Sequence, residues 1–274
     1  MLIDTHCHLN FKVFRGREEV MINRAQAVGV KLFIVPGADP KTSQQAVMLA
    51  QKYPSVYAAV GVHPHHAVQH PGGVSELLDN LKTLILKPKV VAVGEIGIDL
   101  YQYEQTKYLD YKITPEFVKA QEQLFVTQIK LALEFNKTLI LHNRQAVEVL
   151  LPLLENNWDQ KLKNRTVFHC CEADERLLDF AIKHHIYIGV DGDLSWSKKK
   201  QRFIKQVPLE KLVLETDSPY LTPLSARKEG EPNLNEPKNV ILICDLLAAF
   251  KEISSNNVAT QTTNNAVSLF GLPG

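Results

Sequence analysis

Short apolar runs alternate along the chain with longer stretches of helical periodicity. The runs predict eight strands: Leu2–Thr5, Lys31–Val35, Val56–Val60, Val90–Val93, Thr138–Leu141, Thr166–Phe168, Ile186–Gly189 and Leu212–Leu214. Between them, the spacing of apolar residues predicts helices such as Glu18–Val28, Pro40–Lys52, Pro115–Phe135, Ala146–Glu155 and Asp174–Lys183. Two further helical stretches follow the last strand, near Pro237–Phe250 and Asn257–Phe270.

This alternation predicts a parallel α/β architecture, and eight strands fit a (β/α)8 TIM barrel best. We expect a single domain over residues 1–274. An open doubly wound sheet is the alternative, but no glycine-rich dinucleotide loop follows the first strand. Two long segments, Tyr101–Thr114 and Leu224–Glu236, are predicted to be loops that overhang the mouth of the barrel.

Composition narrows the functional classes. With 274 residues, of which 45% are hydrophobic, the chain can bury a large core. A formal net charge of +1 gives no global field that would draw the protein to nucleic acid or to a membrane. Four cysteines without framework spacing predict reduced thiols, and neither a leader nor a membrane-spanning apolar stretch is evident. We therefore expect a cytoplasmic protein with no membrane association and no obligate protein partner.

The first strand ends in two histidines that are separated by one residue. Strand side chains alternate between faces, so His6 and His8 point to one side while Cys7 points to the other. Two imidazoles at the end of a strand supply half of a metal site. This geometry also argues against Cys7 as a nucleophile in the same site.

Other metal-type residues fall at the same end of the predicted strands. Glu95 follows strand four, His142 closes strand five, His169 closes strand six and Asp217 follows strand eight. In a β/α barrel these strand ends meet at one face, where active sites lie. Four histidines and two carboxylates exceed the needs of one tetrahedral ion, so two divalent ions are expected, with Glu95 as a bridge. The predicted chemistry is hydrolysis by a metal-bridged hydroxide, with Asp217 as a ligand and as the acceptor of the water proton.

The motifs DTHCHL, GVHPH, GEIGID, LHNR, FHC and LETDSPYLTP, followed by NEP, resemble those of the TatD family of metal-dependent deoxyribonucleases. They occur in the family's order over nearly the whole chain. The resemblance implies an amidohydrolase-like TIM barrel in which His6, His8 and Asp217 hold one ion. His142 and His169 would hold the other ion, with Glu95 between them. It also implies that His63 lies near the scissile phosphate, and Arg144 is a candidate phosphate contact.

The function expected from the residues and the resemblance is hydrolysis of DNA from a strand end, in the manner of a 3′–5′ exonuclease. The alternatives within enzymes are hydrolysis of small phosphate esters, amides or lactones. A nucleic-acid-binding or partner-binding barrel with structural metals is the non-enzyme alternative, although structural zinc sites are typically closed and rich in cysteine. The donor set leaves magnesium, zinc and manganese open.

Three segments depart from the family pattern. Cys171, Glu172, Ala173 and Asp174 follow His169, which adds two carboxylates near the expected phosphate pocket. The segment Tyr101–Thr114 is enlarged and carries Tyr101, Tyr103, Tyr108 and Tyr111, which form either a base-stacking platform or a self-packed loop. Gly230-Glu231-Pro232 replaces a common glycine–basic pair, with Arg227 and Lys228 nearby.

Overall fold

The chain forms one sheet of eight parallel strands whose spatial order is their order in the sequence. A computed structural model of the protein describes residues 1–67, 73–104, 112–230 and 232–273, with 73–76 as backbone only. The strands are β1 (Leu2–Asp4), β2 (Val30–Pro36), β3 (Val56–Val60), β4 (Val90–Asp99), β5 (Thr138–Arg144), β6 (Thr166–Phe168), β7 (Tyr187–Val190) and β8 (Leu212–Leu214). This order and the nearly closed sheet are those of a (β/α)8 barrel, so the predicted fold is confirmed.

Helices connect successive strands and surround the sheet. They are α1 (Glu18–Ala27), α2 (Pro40–Lys52), α3 (Gly73–Ile85), α4 (Pro115–Glu134), α5 (Val147–Asn156), α6 (Glu175–His184), α7 (Lys198–Gln206), α8 (Val240–Lys251) and α9 (Ser255–Phe270). Within the described ranges, no helix has both the length and the apolar character that crossing a membrane requires.

Hydrogen bonds between the ends of β1 and β8 bring the first and last strands together. Thr5 N and Thr5 Oγ1 both donate to Leu214 O at 3.0 Å. The buried carboxylate of Asp4 accepts from Thr216 N at 2.9 Å and from Thr216 Oγ1 at 2.7 Å. Burial raises the pKa of Asp4 to about 8, against the effect of these hydrogen bonds. The β1–β8 junction thus places the segment after β1 beside the segment after β8.

An apolar layer fills the lower part of the barrel. It takes inward-facing residues from the eight strands: Ile3, Ile34, Ala59, Ala92, Ile140, Val167, Tyr187 and Val213. Helix α9 packs Ala266, Leu269 and Phe270 against this layer. The barrel is therefore closed at the amino ends of the strands and leaves its opposite end for the polar residues.

Strands β4 and β5 are longer than the sequence predicts. The predicted end of β4 at Val93 is wrong because the strand continues through Gly94 and Gly97 to Asp99, and β5 continues to Arg144. A Cβ on Gly94 would lie 2.5 Å from the Cβ of Ile140, and one on Gly97 would lie 1.8 Å from His142 O. The glycines thus permit close backbone approach between β4 and β5 rather than ending the strand. Glu95 and His142 consequently lie inside these strands and do not follow or close them.

Candidate metal centre

Strand periodicity places the polar residues of the barrel mouth directly above the apolar layer. His142 is two residues beyond Ile140, and His169 is two residues beyond Val167. Side chains two apart on a strand share a face, so both imidazoles lie on the inner side. The six residues His6, His8, Glu95, His142, His169 and Asp217 meet there, and we call them the histidine–carboxylate cluster.

Glu95 lies at the centre of this cluster. Its Oε2 atom is 3.8 Å from His6 Nε2, 3.8 Å from His142 Nδ1 and 3.7 Å from His169 Nε2. Its Oε1 atom is 3.6 Å from His8 Nε2. Both oxygens face imidazole nitrogens that come from different strands, as a carboxylate shared by two cations would require.

Asp217 completes the half of the cluster that contains His6 and His8. Its Oδ1 atom is 3.7 Å from His6 Nε2 and 3.3 Å from His8 Nε2. Asp217 N donates to His6 O at 2.9 Å, so the β1–β8 junction fixes the backbone of both segments. Asp217 has a φ of 51°, in the left-handed region that aspartate enters more readily than most residues.

The donor set fits divalent cations. The groups of three ligand atoms that lie within 4.8 Å of one another include His6, His8 and Asp217, and also Glu95, His142 and His169. Burial lowers the pKa of His6 well below its usual value, which keeps the imidazole neutral and its lone pair available. The Nδ1 atoms of His6 and His8 are buried without a hydrogen-bond partner among the described residues, so the polar contacts of both rings lie on the Nε2 side.

Asp99 supports the cluster from its outer side, and the sequence analysis missed it. Its Oδ2 atom lies 3.1 Å from His142 Nε2 and 2.9 Å from His65 Nε2. Burial raises the pKa of Asp99, but hydrogen bonds with His142 and His65 outweigh burial and lower it. An ionised Asp99 accepts the Nε2 proton of His142 and leaves Nδ1 to face Glu95. The sequence offered one signal for Asp99, because this residue stands four positions after Glu95 on the same strand.

Glu215 supports His169 in the same manner and was also missed. The buried Glu215 Oε1 atom lies 3.2 Å from His169 Nδ1 and accepts from Cys170 N at 2.6 Å. Burial lowers the pKa of His169, but the carboxylates of Glu215, Asp217 and Glu95 outweigh burial and raise it to about 10. Glu215 thereby orients the Nε2 atom of His169 toward Glu95. The sequence signal for Glu215 was its place in the LETD motif, two residues before Asp217.

His63 lies beside the cluster rather than within either ligand group. Its Nδ1 atom accepts from His65 N at 3.2 Å, and its ring centroid is 4.4 Å from that of His142. Burial, with smaller effects from neighbouring histidines, lowers the pKa of His63 well below its usual value. A neutral ring whose Nδ1 accepts must carry its proton on Nε2, which can then donate to a ligand.

Arg144 lies at the end of β5, against two tyrosines of the segment after β4. Its guanidinium is 4.4 Å from the Tyr101 ring and 5.0 Å from the Tyr103 ring, and it donates to Tyr103 Oη at 2.9 Å. Tyr103 Oη in turn donates to Asp99 Oδ2 at 3.0 Å. Tyr101 and Tyr103 therefore pack on Arg144 and on each other, while Tyr108 and Tyr111 lie outside the described residues.

The two carboxylates that depart from the family pattern are engaged by their surroundings. Glu172 accepts from Gln145 N at 3.1 Å and from the side chain of Asn143. Asp174 caps α6 by accepting from Arg176 N at 2.9 Å, and it pairs with the Arg176 guanidinium at 2.7 Å. Both groups thus hold local structure on the β5–β6 side of the mouth.

A buried lysine joins the loops after β6 and β7. Lys200 Nζ lies 3.3 Å from Asp193 Oδ2 and 3.9 Å from Asp191 Oδ2, and it donates to Cys171 O. Burial lowers the pKa of Lys200, but the two carboxylates outweigh it and raise the pKa. The ammonium group is therefore the internal counter-ion of the buried Asp191 and the partly buried Asp193.

Replacing Lys200 with methionine is expected to lower the free energy of unfolding by about 3–5 kcal/mol, because it leaves the buried Asp191 and the partly buried Asp193 without a cation. Chemical denaturation measures this change. Lys199→Met, on the exposed side of α7, is the matched control and should stay within about 0.5 kcal/mol of wild type. Equal midpoints for the two variants would show that the buried ammonium group does not stabilise the fold.

Comparison with known proteins identifies the family. The model of the TatD-related DNases matches residues 3–271. An uncharacterised metal-dependent hydrolase, YabD of Bacillus subtilis, is 32% identical over 98% of this chain and 99% of its own. The 3′–5′ ssDNA/RNA exonuclease TatD of Escherichia coli is 30% identical over 99% of both chains. The crystal structure of the TatD homologue YjjV of E. coli superposes with a TM-score of 0.85 at 30% identity, covering 99% of this chain and 98% of that one.

The match of the family model, the relatives over their full length and the shared barrel agree with the motifs in the sequence. The chain belongs to the TatD family of metal-dependent hydrolases.

Proposed function

We propose that this protein is a nuclease that removes nucleotides from the 3′ end of single-stranded nucleic acid, at a centre of two divalent ions held by the histidine–carboxylate cluster. Support comes from the TatD exonuclease of E. coli, which is named for action on single-stranded DNA and RNA and is 30% identical over 99% of this chain. The observation that carries the proposal is the central position of Glu95, whose two oxygens face histidines from both ligand groups.

In this proposal the two ions are held by separate groups that share Glu95. His6, His8 and Asp217 form one group, and His142 and His169 form the other. When bound, divalent ions would make water acidic enough to attack near neutral pH and would withdraw charge from the phosphoryl oxygens. The residues of the cluster hold the ions, and Asp99 and Glu215 keep His142 and His169 in orientation.

Asp217 has a second role, as acceptor of the proton that the attacking water releases. With His142, it is among the more accessible members of the cluster: the exposed side-chain fractions are 13% and 15%. A carboxylate at the accessible edge can exchange its proton with solvent after each turnover, which a fully buried one cannot do readily.

Two residues outside the ligand groups contact the substrate in this proposal. The Nε2 proton of His63 would donate to an oxygen of the scissile phosphate. Arg144 would contact a neighbouring phosphate, because a guanidinium packed on aromatic rings offers planar donors in a fixed position. The base-stacking role of Tyr101 and Tyr103 remains a prediction, and Tyr103 also holds Asp99.

We place the protein in the cytoplasm. The four cysteines are free in the structure, which suits a reducing compartment.

The proposal is tested by elemental analysis of the purified protein together with an activity panel. The substrates are single-stranded DNA, single-stranded RNA, duplex DNA and a chromogenic phosphodiester, and 5′-labelled strands show the direction of cleavage. We expect progressive shortening from the 3′ end and loss of activity on chelation. Hydrolysis of the small ester without cleavage of any strand would instead favour a small-phosphoester hydrolase.

His63→Ala is expected to reduce kcat/KM on every phosphodiester by about 10- to 150-fold, which corresponds to one lost hydrogen bond to a charged group. His66→Ala is the matched control, since His66 lies in the same turn and has Asp39 as an ion-pair partner at 4.0 Å. Steady-state kinetics on single-stranded DNA and on the small ester make the comparison. A His63 variant as active as the His66 variant would rule out the phosphate contact.

A further inference from the structure

A basic cavity lies beside the mouth of the barrel, between α1 and the segment that joins β8 to α8. Its volume is about 570 Å³. The charged side chains that line it are Arg24, Arg227, Lys228, Lys238 and one carboxylate, Glu236. Among the described lining residues, positive groups thus outnumber negative ones four to one. We call this cavity the basic groove.

Contacts within the groove fix its charges in place. Glu236 lies between two cations, 3.1 Å from Arg24 Nη1 and 3.4 Å from Lys238 Nζ. Arg227 packs its guanidinium 4.4 Å from the Trp196 ring and donates from Nε to Thr222 O at 3.0 Å. A guanidinium held in this way is suited to bind phosphate, because little side-chain freedom is lost on binding.

Tyr220 lies between the basic groove and the histidine–carboxylate cluster. Tyr220 N donates to Asp217 O at 2.9 Å, and the Tyr220 ring is 6.4 Å from the His8 ring and 6.3 Å from the Phe11 ring. Tyr220 is 55% exposed, although it is a large aromatic residue. The groove begins at Thr222, two residues further along the chain.

Several carboxylates lie in the neighbouring loops, on the β7 side of β8. Glu172, Asp174, Asp191 and Asp193 lie in the loops after β6 and β7. Beyond these carboxylates, between β8 and α1, the positive charges of the basic groove favour the approach of a polyanion.

We propose that the basic groove binds the backbone phosphates of the single strand whose 3′ end occupies the metal centre, and that a base of this strand stacks on Tyr220. This inference rests on the proposed function for the position of the strand end. The chain's formal net charge of +1 makes such a local arrangement necessary, since no overall charge holds the strand.

The test measures equilibrium binding of a fluorescently labelled oligodeoxynucleotide in the presence of chelator, by anisotropy over a range of salt concentrations. The groove variant is Arg227→Ser with Lys228→Ser. Its matched control is Lys119→Ser with Lys130→Ser, two exposed lysines on α4, across the barrel from β8 and β1. Tyr220→Ala tests the stacked base separately.

The groove variant should raise Kd and reduce the slope of log affinity against log salt by about 1.4, the loss of two phosphate contacts on a single strand. Tyr220→Ala should raise Kd by about 5- to 150-fold. The α4 variant should bind as wild type does. Equal Kd values and salt slopes for the groove and α4 variants would overturn the proposal, and so would a wild-type protein that does not bind the strand.

Cleavage by the metal-loaded enzyme is measured in parallel and tests the proposed function independently. A wild-type protein that binds single strands through the groove without cutting them would contradict the proposed function and leave the groove as a binding site. A protein that cuts strands equally well with and without the groove substitutions would contradict the groove alone.

Discussion

Glu95→Gln is expected to lose bound metal and nearly all activity, with kcat/KM falling by a factor on the order of 10⁴ or more. The substitution keeps the shape of the side chain but removes the charge that both ligand groups share. The two carboxylate oxygens lie 3.6–3.8 Å from four imidazole nitrogens, so no neighbouring group can replace them without rearrangement. Metal content per chain and hydrolysis of the chromogenic ester are the two measurements.

The fold should survive this substitution, because Glu95 is not a member of the apolar layer against which α9 packs. Circular dichroism and the thermal midpoint check this. Glu155→Gln, an exposed glutamate of α5, controls for the loss of one negative charge. If the Glu95 variant retained both metals in full, Glu95 would not be a ligand that the two ions share.

Asp217→Asn is expected to behave differently, with a loss of about 10² to 10⁴ in kcat, the usual range for removal of a general base. The amide cannot accept the water proton, whereas Glu95, His142 and His169 remain intact as one ligand group. At least one metal ion should therefore stay bound. Single-turnover kinetics together with metal analysis separate the two effects.

A variant that hydrolyses substrate within a few-fold of the wild-type rate would exclude Asp217 as the proton acceptor. A variant that loses all of its metal would show that Asp217 acts mainly as a ligand. Comparison with Glu95→Gln is informative, since only the Glu95 substitution should deplete both ligand groups.

Most of the barrel could be predicted from the sequence because each strand carries its own signal. The bounds predicted for β3, β6 and β8 are confirmed, as is the helix at Pro40–Lys52. The error in β4 arose at Gly94, where a residue that commonly ends a strand instead permits contact with Ile140. That contact is a property of two strands together and cannot be inferred from one of them.

Two helices are not among those given bounds from the sequence, for different reasons. Helix α3 had a usable signal, since Leu77, Leu81 and Ile85 recur at helical spacing and are buried. Helix α7 offered little, because one of its buried residues is Lys200, whose burial depends on carboxylates from another segment. A charged residue at a core position cannot be recognised without knowing its partner.

The candidate site likewise contains residues that could be predicted from the sequence and residues that could not. The six cluster residues could be proposed because parallel strands bring their carboxyl ends together, whatever the details of packing. Their supporting partners depend on side-chain direction: Asp99 contacts His142 from the neighbouring strand, and Glu215 contacts His169 from two strands away. The basic groove combines Arg24 of α1 with residues beyond β8, and no local pattern in the sequence connects them.

The histidine–carboxylate cluster is complete only when the β1–β8 junction has formed. Asp4 and Thr216 are 212 residues apart in the sequence, and the cluster needs side chains from both segments. A polypeptide still on the ribosome carries His6 and His8 early, but it lacks Asp217 until nearly the whole barrel has been synthesised. Because contacts of such long range form late in folding, the growing chain has no complete hydrolytic centre.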